Sequence, residues 1–157
     1  MYLLIDGLLK TVLPAVNSDV YMLAHVNYSY DDKMKQKWGF YYDYMKFVRT
    51  NVAAGSTVLI PPQDLYPTAG NGGLDRYFLY PRILVGGDLD ILTDENKYDC
   101  VMIVRGDKGD VWPKTKIFAD SILFIDSKDL TTTEVHGDYD PVKVPNNSWG
   151  LIRIKKW

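Results

Sequence analysis

Eighteen of the 157 residues are aspartate, and only two, Glu95 and Glu134, are glutamate. Two aspartate pairs have Asp-x-Asp spacing, Asp88-Leu89-Asp90 and Asp138-Tyr139-Asp140. Carboxylates spaced this way after a strand can hold a divalent cation against a diphosphate, the chemistry of metal-dependent sugar-nucleotide or phosphoryl-transfer enzymes. At this aspartate content about two such pairs are expected by chance. Two are found, so spacing alone does not establish a metal, and Asp88 and Asp90 stand only as weak candidates. The run Asp88, Asp90, Asp94, Glu95 also fails as a calcium loop, because Leu92 holds its fifth position and the required glycine is missing. His25 and His136 are the only histidines, too few for a histidine-rich metal site or a proton relay.

Nucleophilic chemistry is no better supplied. The chain has no G-x-S-x-G elbow, no Walker loop and no G-x-G-x-x-G; Gly70-Asn71-Gly72 begins the last of these, but Asp75 stands where its final glycine belongs. Cys100 opens the apolar run Cys100-Val101-Met102-Ile103-Val104, where burial disfavours a thiolate. As the lone cysteine it excludes an intramolecular disulfide and a cysteine zinc site, and it leaves the compartment open. No catalytic residue and no cofactor is assigned.

The loop with most binding chemistry is Gly70-Asn71-Gly72-Gly73, with Arg76 one turn further on. It follows an apolar run through Pro61-Pro62-Gln63-Asp64 and opens a helical stretch. Backbone N–H groups at a helix start, joined by a guanidinium, make an anion site. The competing reading is a turn that needs glycine for positive φ, with Arg76 paired to an aspartate. Gln63, Asp64, Asn71, Gly72, Gly73, Arg76 and Arg82 are the candidate lining residues, and the alternative for Arg82 is a structural lock on the helix-to-strand turn. Arg105-Gly106-Asp107 spells an integrin tripeptide, but turn formers surround it and a surface turn explains it. Asn27-Tyr28-Ser29 and Asn146-Asn147-Ser148 match glycosylation acceptors, a weak signal without a secretion leader.

These groups need a scaffold. The chain is 46% hydrophobic and 24% charged, with 18 basic and 20 acidic residues and a formal charge of −2. Such a balance supports one core and supplies no basic field for nucleic acid. Aspartate favours caps and turns over helix interiors, so the acid skew predicts a chain rich in strands and turns. Leu3 to Leu13 reads as an amphipathic helix ended by Pro14, too short and interrupted to span a membrane. Residues 1–26 are thus expected to form a helical appendage and 27–157 a single α/β domain.

Within that domain, Ser29 and Asp32 form a capping-box pattern ahead of Trp38, Tyr41, Met45 and Val48 at helical spacing, with Gly39 a break between two pieces. Eight aromatics lie between Tyr28 and Phe47, and Tyr28, Tyr30 and Tyr42 are expected outside the core. Strands are predicted at 57–60, 82–85, 98–104, 121–125, 131–136 (near an edge) and 149–154, with a short helix at 72–80 ended by Pro81. Alternating helices and buried strands argue for a layered, Rossmann-like α/β fold: a largely parallel sheet, flanking helices and an antiparallel C-terminal extension.

Several phrases together, Lys37-Trp38-Gly39, Tyr41-Tyr42-Asp43-Tyr44-Met45, Ile60-Pro61-Pro62-Gln63, Arg76-Tyr77-Phe78-Leu79-Tyr80-Pro81-Arg82 and Trp149-Gly150-Leu151-Ile152, resemble soluble, extracytoplasmic domains of uncharacterised bacterial membrane proteins, some of them glycosyltransferase-like. The resemblance covers residues 28–155, and Leu79-Tyr80-Pro81-Arg82 is its most specific part. It implies an α/β domain at the cell envelope with a membrane-protein or envelope partner, and it brings no catalytic residues. A cytoplasmic location follows instead if the N-terminus is native and unanchored. The leading expectation is a noncatalytic binding or accessory domain using the crevice at the C-terminal ends of the strands. One alternative is the metal-dependent enzyme using Asp88 and Asp90. The other is a homo-oligomeric assembly subunit packing through the N-terminal helix.

Overall fold

The computed structural model describes residues 27–87 and 97–156. The expected N-terminal helix and the pair Asp88 and Asp90 lie outside the described residues. The chain divides into two compact units, Met1–Gly39 and Phe40–Trp157. In the first unit, helix α1 covers Tyr30–Trp38. Its capping box is complete: the Ser29 hydroxyl accepts from the Asp32 N–H at 3.2 Å, and the Asp32 carboxylate accepts from the Ser29 N–H at 3.1 Å. Gly39, at φ 55°, ends the helix in a backbone conformation that other residues rarely adopt.

The second unit begins with α2, Phe40–Asn51. Tyr41, Tyr44, Met45 and Val48 fall on one helical stripe and are buried, with Tyr42 and Phe47 beside them. There follow β1 (Thr57–Ile60), α3 (Gly72–Leu79), β2 (Ile83–Gly86), β3 (Cys100–Arg105), β4 (Val111–Trp112), β5 (Ala119–Asp126), β6 (Thr132–His136) and β7 (Ser148–Ile154). The described residues thus form a mixed, seven-stranded sheet ordered β2-β1-β3-β7-β5-β6, with β4 paired to β3. Pairing is parallel in β2-β1-β3 and antiparallel in the rest.

The fold is α/β, and its sheet is only partly parallel. Short links are the reason: five residues, 127–131, join β5 to β6, too few for the crossover a parallel pair requires. The C-terminal strand is no outer extension, because β7 lies between β3 and β5. Its Leu151 and Ile152 are both fully buried, as a strand covered on two faces demands. The edges are β2 and β6, and β6 is exposed along its whole length.

Helix α2 is fixed to this sheet by Tyr44. Its hydroxyl donates to the Ile103 carbonyl of β3 at 3.1 Å and to the Gly150 carbonyl of β7 at 2.8 Å. Its ring meets Trp149 edge-on at 4.9 Å. Tyr42, expected outside, is 4% exposed and packs edge-on against Phe78 of α3 at 5.6 Å. The second helix buries a face of α2 that sheet packing alone would leave wet. A Cβ at Gly150 would collide with the Leu123 carbonyl and reach the Phe124 ring at 3.1 Å. Gly150→Ala should therefore cost about 1–3 kcal/mol, the range for overpacking in a dense core. Tyr44→Phe should cost about 1–2 kcal/mol for lost hydrogen bonds. Urea midpoints of the two variants against the parent measure both effects.

Candidate functional site

The site is built where β1 ends. Pro61 and Pro62 lack the N–H that a continuing ladder needs, so the strand stops at Ile60. The chain then turns back on itself: the Tyr66 N–H donates to the Pro62 carbonyl at 3.0 Å, and the Gly70 N–H to the Tyr66 carbonyl at 2.6 Å. A Cβ on Gly70 would lie 2.7 Å from both the Pro61 and Pro62 carbonyl oxygens, so this return is open only to glycine. Asn71 caps α3, its Oδ1 accepting from the N–H groups of Gly73 and Leu74, both at 3.1 Å. After the helix, β2 brings the chain back beside β1, and the Gly87 N–H donates to the Ile60 carbonyl at 2.7 Å.

Between the C-terminal ends of β1 and β2 and the start of α3 lies a cleft of about 460 Å³. Gln63, Asp64 and Arg76 supply its polar side chains, Gly72 and Gly86 part of its backbone wall, and Ile60 and Leu84 its apolar surface. Of the sequence-derived candidates, Gln63, Asp64, Gly72 and Arg76 are therefore brought together. Asn71 and Gly73 are not in the lining: the Asn71 side chain consumes the helix-start donors that a bound anion would have used. Asp64 also places a carboxylate in the same cleft as Arg76. The anion site expected at Gly70–Gly73 thus loses two donors and gains a repelling charge.

Arg82 is engaged elsewhere. Its guanidinium donates to the carbonyls of Val52 at 2.6 Å and Arg49 at 2.6 Å, and more distantly to those of Leu79 and Tyr80, both at 3.4 Å. It ties the end of α2 to the turn between α3 and β2, satisfying carbonyls that a helix end leaves open. Desolvation by burial, then the nearby Arg49 charge, lowers its pKa from the usual arginine value.

A smaller cleft of about 140 Å³ lies between the segment 65–69 and the end of β3, with Arg105, Asp107 and Trp149 in its lining. In sequence, only the tripeptide Arg105-Gly106-Asp107 marks this place; its other walls come from distant stretches. Its organising bond joins Tyr66 to Asp110 at 2.6 Å, forty-four positions apart, and no local spacing signals it. Arg105 donates to the carbonyls of Gly109 at 2.8 Å and Pro145 at 3.0 Å, so the integrin-like tripeptide uses its guanidinium to hold loops together. Asp138 and Asp140 also do structural work. Asp138 accepts from the Ala119 N–H at 3.2 Å; Asp140 accepts from the Val142 N–H at 3.1 Å and pairs with Lys116 at 3.1 Å. Cys100 is buried, which pushes its thiol pKa up to about 11.

Beside Arg76 in sequence, Asp75 is fully buried on α3. Tyr41 donates to its Oδ1 at 2.5 Å, while Oδ2 has no hydrogen-bond partner among the described residues. Burial without a cation pushes its pKa up to about 7, against the opposing effect of the tyrosine hydrogen bond.

Among the described residues no group of three or more histidine, cysteine, aspartate or glutamate side chains could hold a metal ion. Nor is any described helix long and apolar enough to cross a membrane. Comparison with protein-family models, curated proteins and solved structures found no match to this chain.

The buried carboxyl predicts a pH dependence. The folded state keeps the Asp75 proton up to about pH 7, whereas the unfolded chain releases it near 3.8. The folded state therefore binds more protons across that interval, and stability falls as pH rises from about 4 to about 7, by roughly 4 kcal/mol at most. Asp75→Asn should remove this contribution. Urea midpoints at pH 4.5 and pH 8 should differ less in the variant than in the parent.

Proposed function

We propose that the unit Phe40–Trp157 is a noncatalytic binding or accessory domain that takes a small ligand in the cleft between the ends of β1 and β2. The β1–α3–β2 unit with neighbouring β3 serves as a Rossmann-like half-sheet, and ligands of open α/β sheets characteristically sit beyond the carboxyl ends of such strands. The observation that carries the reading is that the side chains of Gln63, Asp64 and Arg76 line one cleft while none of them bonds to another side chain or carbonyl among the described residues. Polar side chains beside the apolar surface of Ile60 and Leu84 can orient a small molecule, and about 460 Å³ is within the usual size range for such a site. A place at the cell envelope is part of the proposal and rests on the resemblance of the Leu79-Tyr80-Pro81-Arg82 region to extracytoplasmic domains. A metal-dependent enzyme would depend on Asp88 and Asp90, and the test separates it by its need for divalent cations.

The glycines of the cleft provide the test. A Cβ on Gly86 would meet nothing within 4 Å, and one on Gly72 only the Ile60 Cδ1 at 3.9 Å. Neither position has positive φ, so packing and backbone both tolerate a side chain there. What a side chain would occupy is the cleft. Gly86→Val should leave the unliganded melting temperature unchanged or slightly higher, since valine suits a strand better than glycine. Nucleotides, sugar nucleotides, phosphates, glycans and amino acids, each with and without divalent cations, make the ligand panel. A ligand at 100 times its Kd stabilises the fold by about 2.7 kcal/mol, a shift of roughly 5–10 °C at this chain length. The shift should appear in the parent and vanish in Gly86→Val. An equal shift in both would place binding outside the cleft, and a cation-dependent nucleotide shift would favour the enzyme.

A further inference from the structure

We infer that this cleft takes a zwitterion, a short molecule carrying both an anionic and a cationic group, such as a free amino acid or a dipeptide. The inference rests on the cleft being the binding site. Asp64 and Arg76 line it from different elements, the loop after β1 and helix α3, and among the described residues they form no ion pair with each other or with any other side chain. Two opposite charges are thus held open in one cavity.

Other ligand chemistries fit this arrangement less well. A phosphate would gain Arg76 but meet the Asp64 carboxylate, and it would find the Gly73 and Leu74 N–H groups already taken by Asn71. A neutral polyol would cover both charges without a counter-charge for either, and removing charges from water uncompensated is costly. A zwitterion compensates both. Its carboxylate matches the planar fork of Arg76, its ammonium matches Asp64, and Gln63 can donate to or accept from the peptide unit between them. Ile60 and Leu84 in the lining favour an apolar side chain on the bound molecule. Because Asp64 and Arg76 are exposed, both contacts are open to salt screening, and affinity should fall as ionic strength rises.

The probes are Ala-Ala, N-acetyl-Ala-Ala, Ala-Ala amide, glucose and inorganic phosphate, titrated into the full chain by calorimetry at low salt. Ala-Ala should bind at least ten times more tightly than either capped form. Arg76→Gln should abolish the advantage of Ala-Ala over its amide, and Asp64→Asn its advantage over the acetylated form. Such charge-specific losses are beyond a merely misfolded variant, and unchanged melting temperatures confirm folding. Capped and uncapped forms binding equally would overturn the zwitterion. Phosphate or glucose binding in place of Ala-Ala, and lost in Gly86→Val, would overturn it while leaving the binding cleft intact. Ala-Ala binding that survives Gly86→Val would overturn the cleft itself, and no binding by any probe would overturn the zwitterion.

Discussion

The last strand of the chain pairs with β3 through Cys100–Ile103 on one side and with β5 from Ala119 to Asp126 on the other. Without β7 the sheet would fall into two pieces, β2-β1-β3 with β4 and the hairpin β5-β6. An isolated hairpin is marginal in water, so the half without the parallel strands has no independent stability. This join is also where α2 is anchored. Tyr44 bonds a carbonyl on each of the two strands it bridges, and Gly150 is the residue that lets β7 pass close to Leu123 and Phe124. Helix placement and sheet closure thus depend on the same few atoms.

The cleft inherits its rigidity from that frame at one remove. Helix α3 packs on α2 through Phe78, whose ring meets both Tyr41 and Tyr42 edge-on. Arg82 then ties the end of α2 to the turn after α3 through four backbone carbonyls. The glycines around the cleft divide by what they serve. Gly70 and Gly87 are required by the fold, because a Cβ on either would strike backbone or the Trp112 ring. Gly72 and Gly86 face space, and what they preserve is the opening itself.

The sequence made the elements legible where periodicity or punctuation was strong. The Ser29–Asp32 capping box, the break at Gly39, the prolines closing β1 and the buried run of β3 all announce themselves locally. The two-residue strand β4 does not, since Val111–Trp112 is too short to show alternation. Pairing direction and strand order are non-local, and an apolar run such as Leu151-Ile152 reads the same whether it lies at an edge or between β3 and β5. The same limit applies at the site. Gln63, Asp64, Gly72 and Arg76 were legible because one connection, β1 to α3, carries them all. The neighbouring cleft joins Tyr66, Arg105 and Trp149 from three separate stretches, and only folding shows that juxtaposition.

Asn71 and Asp75 show why a motif's chemistry cannot be read from its residue types alone. A glycine-rich helix start with an arginine one turn on has the parts of an anion site. Here the cap side chain satisfies the donors, and the adjacent carboxyl is buried where its charge is disfavoured. Asp75 is buried and bonded to Tyr41, so its carboxyl does not pair with Arg76. The counter-charge to Arg76 in the cleft is Asp64, which it does not reach. That separation makes the cleft electrically balanced as a whole and unbalanced at each end. If the cleft is a ligand site, as proposed, a ligand gains most by carrying two opposite charges of its own, because each then meets a charge with no partner among the described residues.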